Sequence, residues 1–201
     1  MKITLPDNSF RDLPDGSSGY DLAKDIGPGL AKSAVAITVN GEQKDLHDKI
    51  EGDASVSIIT IDSDDGLDIM RHTLTAQVLA RAIKNLYPKS QLAIGPTIED
   101  GFYYDVETDK TISIDDLQKI EDEMKNIVKT NSSITKKLVS KSDALKVFKS
   151  LKEPYKEELI SESDQKDDFQ LYYQDKEEFV DLCRGPHLPN LSFIGSFKLT
   201  K

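Results

Sequence analysis

The chain has 201 residues and a mass of 22.4 kDa, room for one large domain or two small ones. Hydrophobic residues make up 37% and charged residues 31%, the balance of a soluble globular protein rather than a disordered tail. The net charge of −10 comes from 6 basic and 10 acidic side chains before residue 62 and 20 and 26 from residue 62 onward, so neither part is a basic nucleic-acid footprint. No run approaches the ~18 apolar residues of a membrane span, and the opening MKITLPDNSF lacks an apolar signal core. A single cysteine excludes an internal disulfide framework and fits a reducing cytoplasm. With one Cys and three His, a closed structural zinc site would need nearly all of them in one place.

In chain order, Ile3 and Leu5 alternate with polar neighbours, the period of a half-buried strand. Tyr20 to Ile26 is a short helix stopped at Gly27-Pro28. Val35 to Val39 is a β-branched strand, Asn40-Gly41 a hairpin turn, and Val56 to Ile61 a final strand. The order β, α, β, β predicts a β-grasp module over residues 1–61, and His47, in a polar loop, reads as a surface histidine. Asp62-Ser63-Asp64-Asp65-Gly66 reads as a linker, with a second domain over 67–201. From Leu67, apolar residues spaced by three or four predict an amphipathic helix to Leu86, ended by Pro88. Gln91 to Ile94 and Phe102 to Val106 read as strands, and Ser113 as the cap of a helix with Asp115 and Asp116 in its first turn. A further helix is expected from about Ser142 to Leu151, and strands over 169–173, 179–182 and 193–199. The fold class is α+β, with an antiparallel sheet and helices on one side.

The densest polar constellation is Asp181-Leu182-Cys183-Arg184-Gly185-Pro186-His187, a strand end entering a Gly-Pro turn. There a cysteine, a histidine, an aspartate and an arginine can converge on one small ligand. The plain alternative is a buried cysteine and a hydrogen-bonded histidine at a strand end. His72, near the start of the long helix, is in phase with Leu79 and equally fits a core histidine. Position 76 is Ala, so His72 has no partner histidine four residues on.

Two stretches, Leu92-Ala-Ile-Gly-Pro-Thr-Ile-Glu-Asp-Gly-Phe-Tyr-Tyr-Asp105 and Phe179-Val-Asp-Leu-Cys-Arg-Gly-Pro-His187, closely resemble the N-terminal half of bacterial-type threonyl-tRNA synthetases. The resemblance covers essentially the whole chain. It makes residues 1–61 a TGS domain, and the remainder an editing domain of the kind shared with alanyl-tRNA synthetase. In that family the aminoacylation core and anticodon-binding domain lie beyond this region. The resemblance therefore implies a region that does not itself activate threonine and needs no cofactor; ATP, magnesium and the threonine-selecting zinc belong to the core. It also implies homodimers formed mainly through that core, and a cytoplasmic protein.

The activity the resemblance implies is hydrolysis of serine mischarged onto tRNA(Thr). Serine lacks only a methyl of threonine, and a methyl discriminates by ~1–3 kcal/mol, so a second site must remove the smaller product. Carried over residue by residue, the family pocket falls on Lys156, Asp181, Cys183 and His187, with Tyr104 as an aromatic lining position. Lys156 and His187 are expected to position or polarise the water and the ester. Asp181 and Cys183 would hold the seryl amine and hydroxyl, and Arg184 lies beside them as a substrate contact.

The sequence departs from the family at the first helix. There the family carries His-x3-His, typically R-H-S-x-A-H-x-L, where this chain reads Arg71-His72-Thr73-Leu74-Thr75-Ala76-Gln77-Val78-Leu79. Aligned from downstream, Gln77 takes the place of the second histidine and His72 lies five residues before it. In an ideal α-helix those side chains diverge by ~140°, and Thr73 shares a face with Gln77. Two local solutions follow. Either a bulge or a helix start near His72 returns His72 to the pocket, or Thr73 replaces it. The helix start is the preferred expectation, which leaves His72 catalytic and Thr73 and Gln77 as substrate contacts. Gln77 is not a base at neutral pH, so the pocket could equally belong to a non-catalytic appendage that contacts tRNA. A metal-dependent deacylase is a third class, which the missing histidine disfavours.

Overall fold

The computed structural model describes residues 1–200; the expected domain end at Lys201 lies outside the described residues. Two units separate by their internal contacts: Met1–Met70 with Gly185–Pro189, and Arg71–Arg184 with Asn190 onward. No helix among the described residues is long and apolar enough to cross a membrane.

The first unit carries β1 (Lys2–Thr4), β2 (Phe10–Asp12), α1 (Gly19–Ile26), α2 (Pro28–Ser33), β3 (Ala34–Val39), β4 (Glu42–Asp45) and β5 (Ala54–Thr60). The sheet order is β2-β1-β5-β3-β4, with β1 parallel to β5 and the other pairings antiparallel. Asn40 and Gly41 both take positive φ, as a two-residue hairpin turn between β3 and β4 requires. Ser18 and Asp21 form a capping box at the start of α1. A Cβ on Gly19 would lie 2.2 Å from the Ile37 side chain, so the helix start rests directly on the sheet. Ile3, Leu22, Ile37 and Ile50, each nearly solvent-free, form the core between helix and sheet.

The span 62–66 is a capped helix entry, not a free linker. Ser63 Oγ accepts from the Gly66 N–H at 3.0 Å, Asp64 and Asp65 occupy the favourable first turn, and α3 runs Asp64–Thr73. Gly66 is there for close packing: its Cβ would fall 2.0 Å from the Thr60 carbonyl oxygen. The two units divide inside this helix, at Met70 and Arg71.

α3 continues as a π-helical turn over Leu74–Leu79 and then as α4 (Ala80–Leu86). Two short hairpin pairs follow: β6 (Gln91–Leu92) with β9 (Val106–Glu107), and β7 (Thr97–Ile98) with β8 (Gly101–Phe102). Then come α5 (Ile114–Lys129), β10 (Ile134–Val139), α6 (Lys141–Leu151), α7 (Pro154–Glu162), β11 (Phe169–Gln174) and β12 (Phe179–Leu182). β10, β11 and β12 form an antiparallel sheet in that order.

Helices cover both faces of this sheet rather than one. Phe169 and Leu171 of β11 pack with Ala144 and Phe148 of α6 and Ile160 of α7. Gln174, of opposite parity, points to the π turn. The strand expected over 193–199 does not form. A 3₁₀ turn spans Leu191–Phe193, and the Leu199 N–H donates to the Glu121 carboxylate at 3.0 Å instead of to a neighbouring strand.

Candidate functional site

A cavity of about 250 Å³ opens within the second unit. Its helical wall is His72, in the last turn of α3, and Ala76, in the π turn. Lys156 of α7, Asp181 of β12, Cys183 just beyond it and Tyr104 after β8 complete the polar lining. Ala80 N–H bonds to Thr75 O, five residues back, and this widened turn absorbs one extra residue in the helix. His72 Nε2 lies 2.7 Å from Cys183 Sγ. The bulge solution is therefore the one adopted. The helix does not start near His72; α3 begins eight residues earlier, at its Ser63 cap.

The second polar group is a buried pair. Lys156 Nζ lies 2.8 Å from Asp181 Oδ1, with side-chain exposures of 5% and 3%. The Leu182 N–H donates to the same carboxylate at 2.8 Å, and Lys156 also donates to Tyr104 Oη at 3.3 Å. Burial pushes the Asp181 carboxyl above its usual range; Lys156, the Leu182 amide and the Tyr104 hydroxyl pull it back only in part. Burial also drives the Tyr104 phenol up, with Asp181 and Cys183 adding to the effect, so Tyr104 is a neutral donor at every ordinary pH. Gly95 permits this packing, because a Cβ there would meet the Tyr104 ring at 2.3 Å.

α7 is placed by Glu153, which precedes Pro154 at the helix start. Its carboxylate, 4% exposed, accepts from the Leu92 N–H at 3.1 Å and pairs with Lys84 Nζ at 2.5 Å. Three elements thus meet at the residue one turn before Lys156. Sequence reading passes over Glu153; its signal is an acidic residue directly before a proline at a helix start.

Comparison with known proteins fits this architecture. Residues 1–60 match the TGS domain, and residues 170–201 match the Threonyl and Alanyl tRNA synthetase second additional domain. The threonine–tRNA ligase of Citrifermentans bemidjiense is 46% identical over 200 residues, which is 100% of this chain and 31% of that protein. Over its whole length this chain is thus similar to the N-terminal region of a threonine–tRNA ligase. It spans about a third of the length of that relative.

Against the pocket expected from the synthetases, the structure brings His72, Cys183, Lys156, Asp181 and Tyr104 to one cavity. Thr73 and Gln77 are wholly buried, and Gln77 meets Gln174 of β11 rather than the cavity. The π turn gives the cavity wall to Ala76 instead. Arg184 is exposed. His187 is buried in the segment that packs with the first unit, where its N–H donates to Asp45 Oδ1 at 2.8 Å.

Proposed function

We propose that the second unit hydrolyses the ester of serine mischarged onto tRNA(Thr), as the editing region of a threonyl-tRNA synthetase. The observation that carries this reading is the buried Lys156–Asp181 pair beside His72 and Cys183 on one cavity. Water attacks the ester carbonyl carbon, the carbonyl oxygen gains negative charge, and the ribose oxygen leaves with a proton. The Lys156 ammonium supplies the positive charge for the developing oxyanion and holds the water. Asp181 keeps Lys156 oriented and receives the seryl amine, while Cys183 and His72 bracket the hydroxyl. Tyr104, a neutral donor, also hydrogen-bonds the carboxylate. His187 remains a candidate for positioning the water.

The partners in this reading are the 3′ end of tRNA(Thr) and the rest of the synthetase chain, which in the family dimerises, and the site of action is the cytoplasm. Domains 1–61 and 67–201 of the chain correspond to the TGS and editing domains. A tRNA-contacting appendage with a dead pocket is the competing reading, and the replacement of the second histidine by Gln77 favours it.

Deacylation of Ser-tRNA(Thr), with Thr-tRNA(Thr) as control and protein in excess to offset weak binding, separates the two. Selective loss of serine, abolished in Lys156→Met, is the expected result. Loss of neither amino acid, at any protein concentration, would support the appendage.

A further inference from the structure

The π turn is clamped from outside. Gln174 is fully buried at the end of β11, and its Nε2 donates to the backbone carbonyl of Gln77 at 2.6 Å and to Gln77 Oε1 at 3.1 Å. Behind it, Arg81 Nη1 donates to Gln174 Oε1 at 2.9 Å, and Arg81 Nη2 donates to Glu178 Oε2 at 2.8 Å. The chain Glu178–Arg81–Gln174–Gln77 therefore runs from the surface to the middle of the widened turn. Gln77 Nε2 is buried with no hydrogen-bond partner among the described residues, so the side-chain anchor of Gln77 to Gln174 is its Oε1.

π turns are rare and are kept by surrounding contacts rather than by their own geometry. All six residues of this one are buried. Each α-helical residue turns the chain by ~100°, so closing the π turn into α geometry would rotate α3 by about that angle relative to α4. His72 would then leave Cys183. Alone among the site residues, His72 owes its place to this irregular turn, while Asp181 and Cys183 sit on or just past a regular strand.

We infer that Gln174, backed by Arg81, is a positioning residue that keeps the π turn open and thereby sets the His72–Cys183 pair. It touches neither member of the pair and acts through the helix. The inference calls His72 functional on the strength of the reading above, but its test needs no ester substrate, so the two can fail separately.

Cys183 is the single cysteine, so its alkylation by iodoacetamide across pH reports on that thiol alone. Within the second unit, the groups around it are His72, Lys156, Asp181 and Tyr104. His72→Ala defines the profile of the thiol without its imidazole. Gln174→Met should move the wild-type profile at least halfway to that of His72→Ala. Arg81→Met should move it in the same direction, and Gln174→Met should add nothing in a His72→Ala background. Ile134→Ala, a buried β10 change opposite the Gln174 backbone, controls for destabilisation and should leave the profile unchanged. A folded Gln174→Met with the wild-type profile overturns the inference, as does an equal shift in the His72→Ala background. If Gln174→Met does not fold, a wild-type profile in Arg81→Met overturns it.

Discussion

Lys156 and Asp181 are almost fully removed from water, and each is tolerable there because of the other. Taking one away strands a charge, which costs ~3–5 kcal/mol in comparable buried pairs. Lys156→Met should therefore lower the stability to urea by about that much at neutral pH. The sign of its pH dependence follows from Asp181. Its folded pKa already lies above the unfolded one, and losing the cation raises it further. Such a carboxylic acid binds more protons folded than unfolded, so stability declines as pH rises from the unfolded value through the folded one. The deficit of Lys156→Met should shrink in acid, and adding Asp181→Asn should remove most of it. A deficit independent of pH would contradict the buried pair. For the reaction, Asp181 must be ionised, so hydrolysis should fail on the acid side at a pH above the ordinary carboxylate range.

At the scale of elements, Glu121 of α5 ties down the segment after the last 3₁₀ turn. Its carboxyl is drawn down to about 2, first by Lys125 and then by the Leu199 N–H. A depressed carboxyl contributes stability above its unfolded pKa and loses it as pH falls from there through the folded value. Glu121→Gln should accordingly speed hydrogen exchange at the Leu199 amide at neutral pH, and the wild type should approach that rate only in strong acid. This tether explains why the apolar alternation near 193–199 makes no strand: a side chain, not a strand edge, meets the backbone there. The strands whose apolar residues face α6 and the helix capped at Ser113 were legible, because burial on one side writes the period into the sequence. β10 was not, because its Lys136 and Lys137 interrupt the alternation. α7 was not either, since it buries little besides Lys156 and Ile160. Lys156 was legible only through the family resemblance. The π turn was half legible: a five-residue separation between His72 and Gln77 demands an irregularity, but periodicity does not choose between a bulge and a late helix start.

Over the whole molecule, the charge of −10 bears on how tRNA is held. An acidic chain neutralises few phosphates, so its own affinity for tRNA should be low, with a shallow salt dependence. A steep loss of binding with salt would point instead to a local basic surface. The chain spans 31% of the length of its relative; in the proposed reading the second unit supplies the chemistry, and most tRNA affinity belongs to the other parts of a synthetase. In the proposed reaction the Lys156–Asp181 cavity receives the seryl group. Its most direct test is a crystal structure with the 3′-seryl amide of 3′-amino-adenosine, which cannot be hydrolysed. The seryl amine is expected against Asp181 and the amide carbonyl within reach of Lys156 Nζ. An analogue seated elsewhere, with the cavity unchanged, would contradict it.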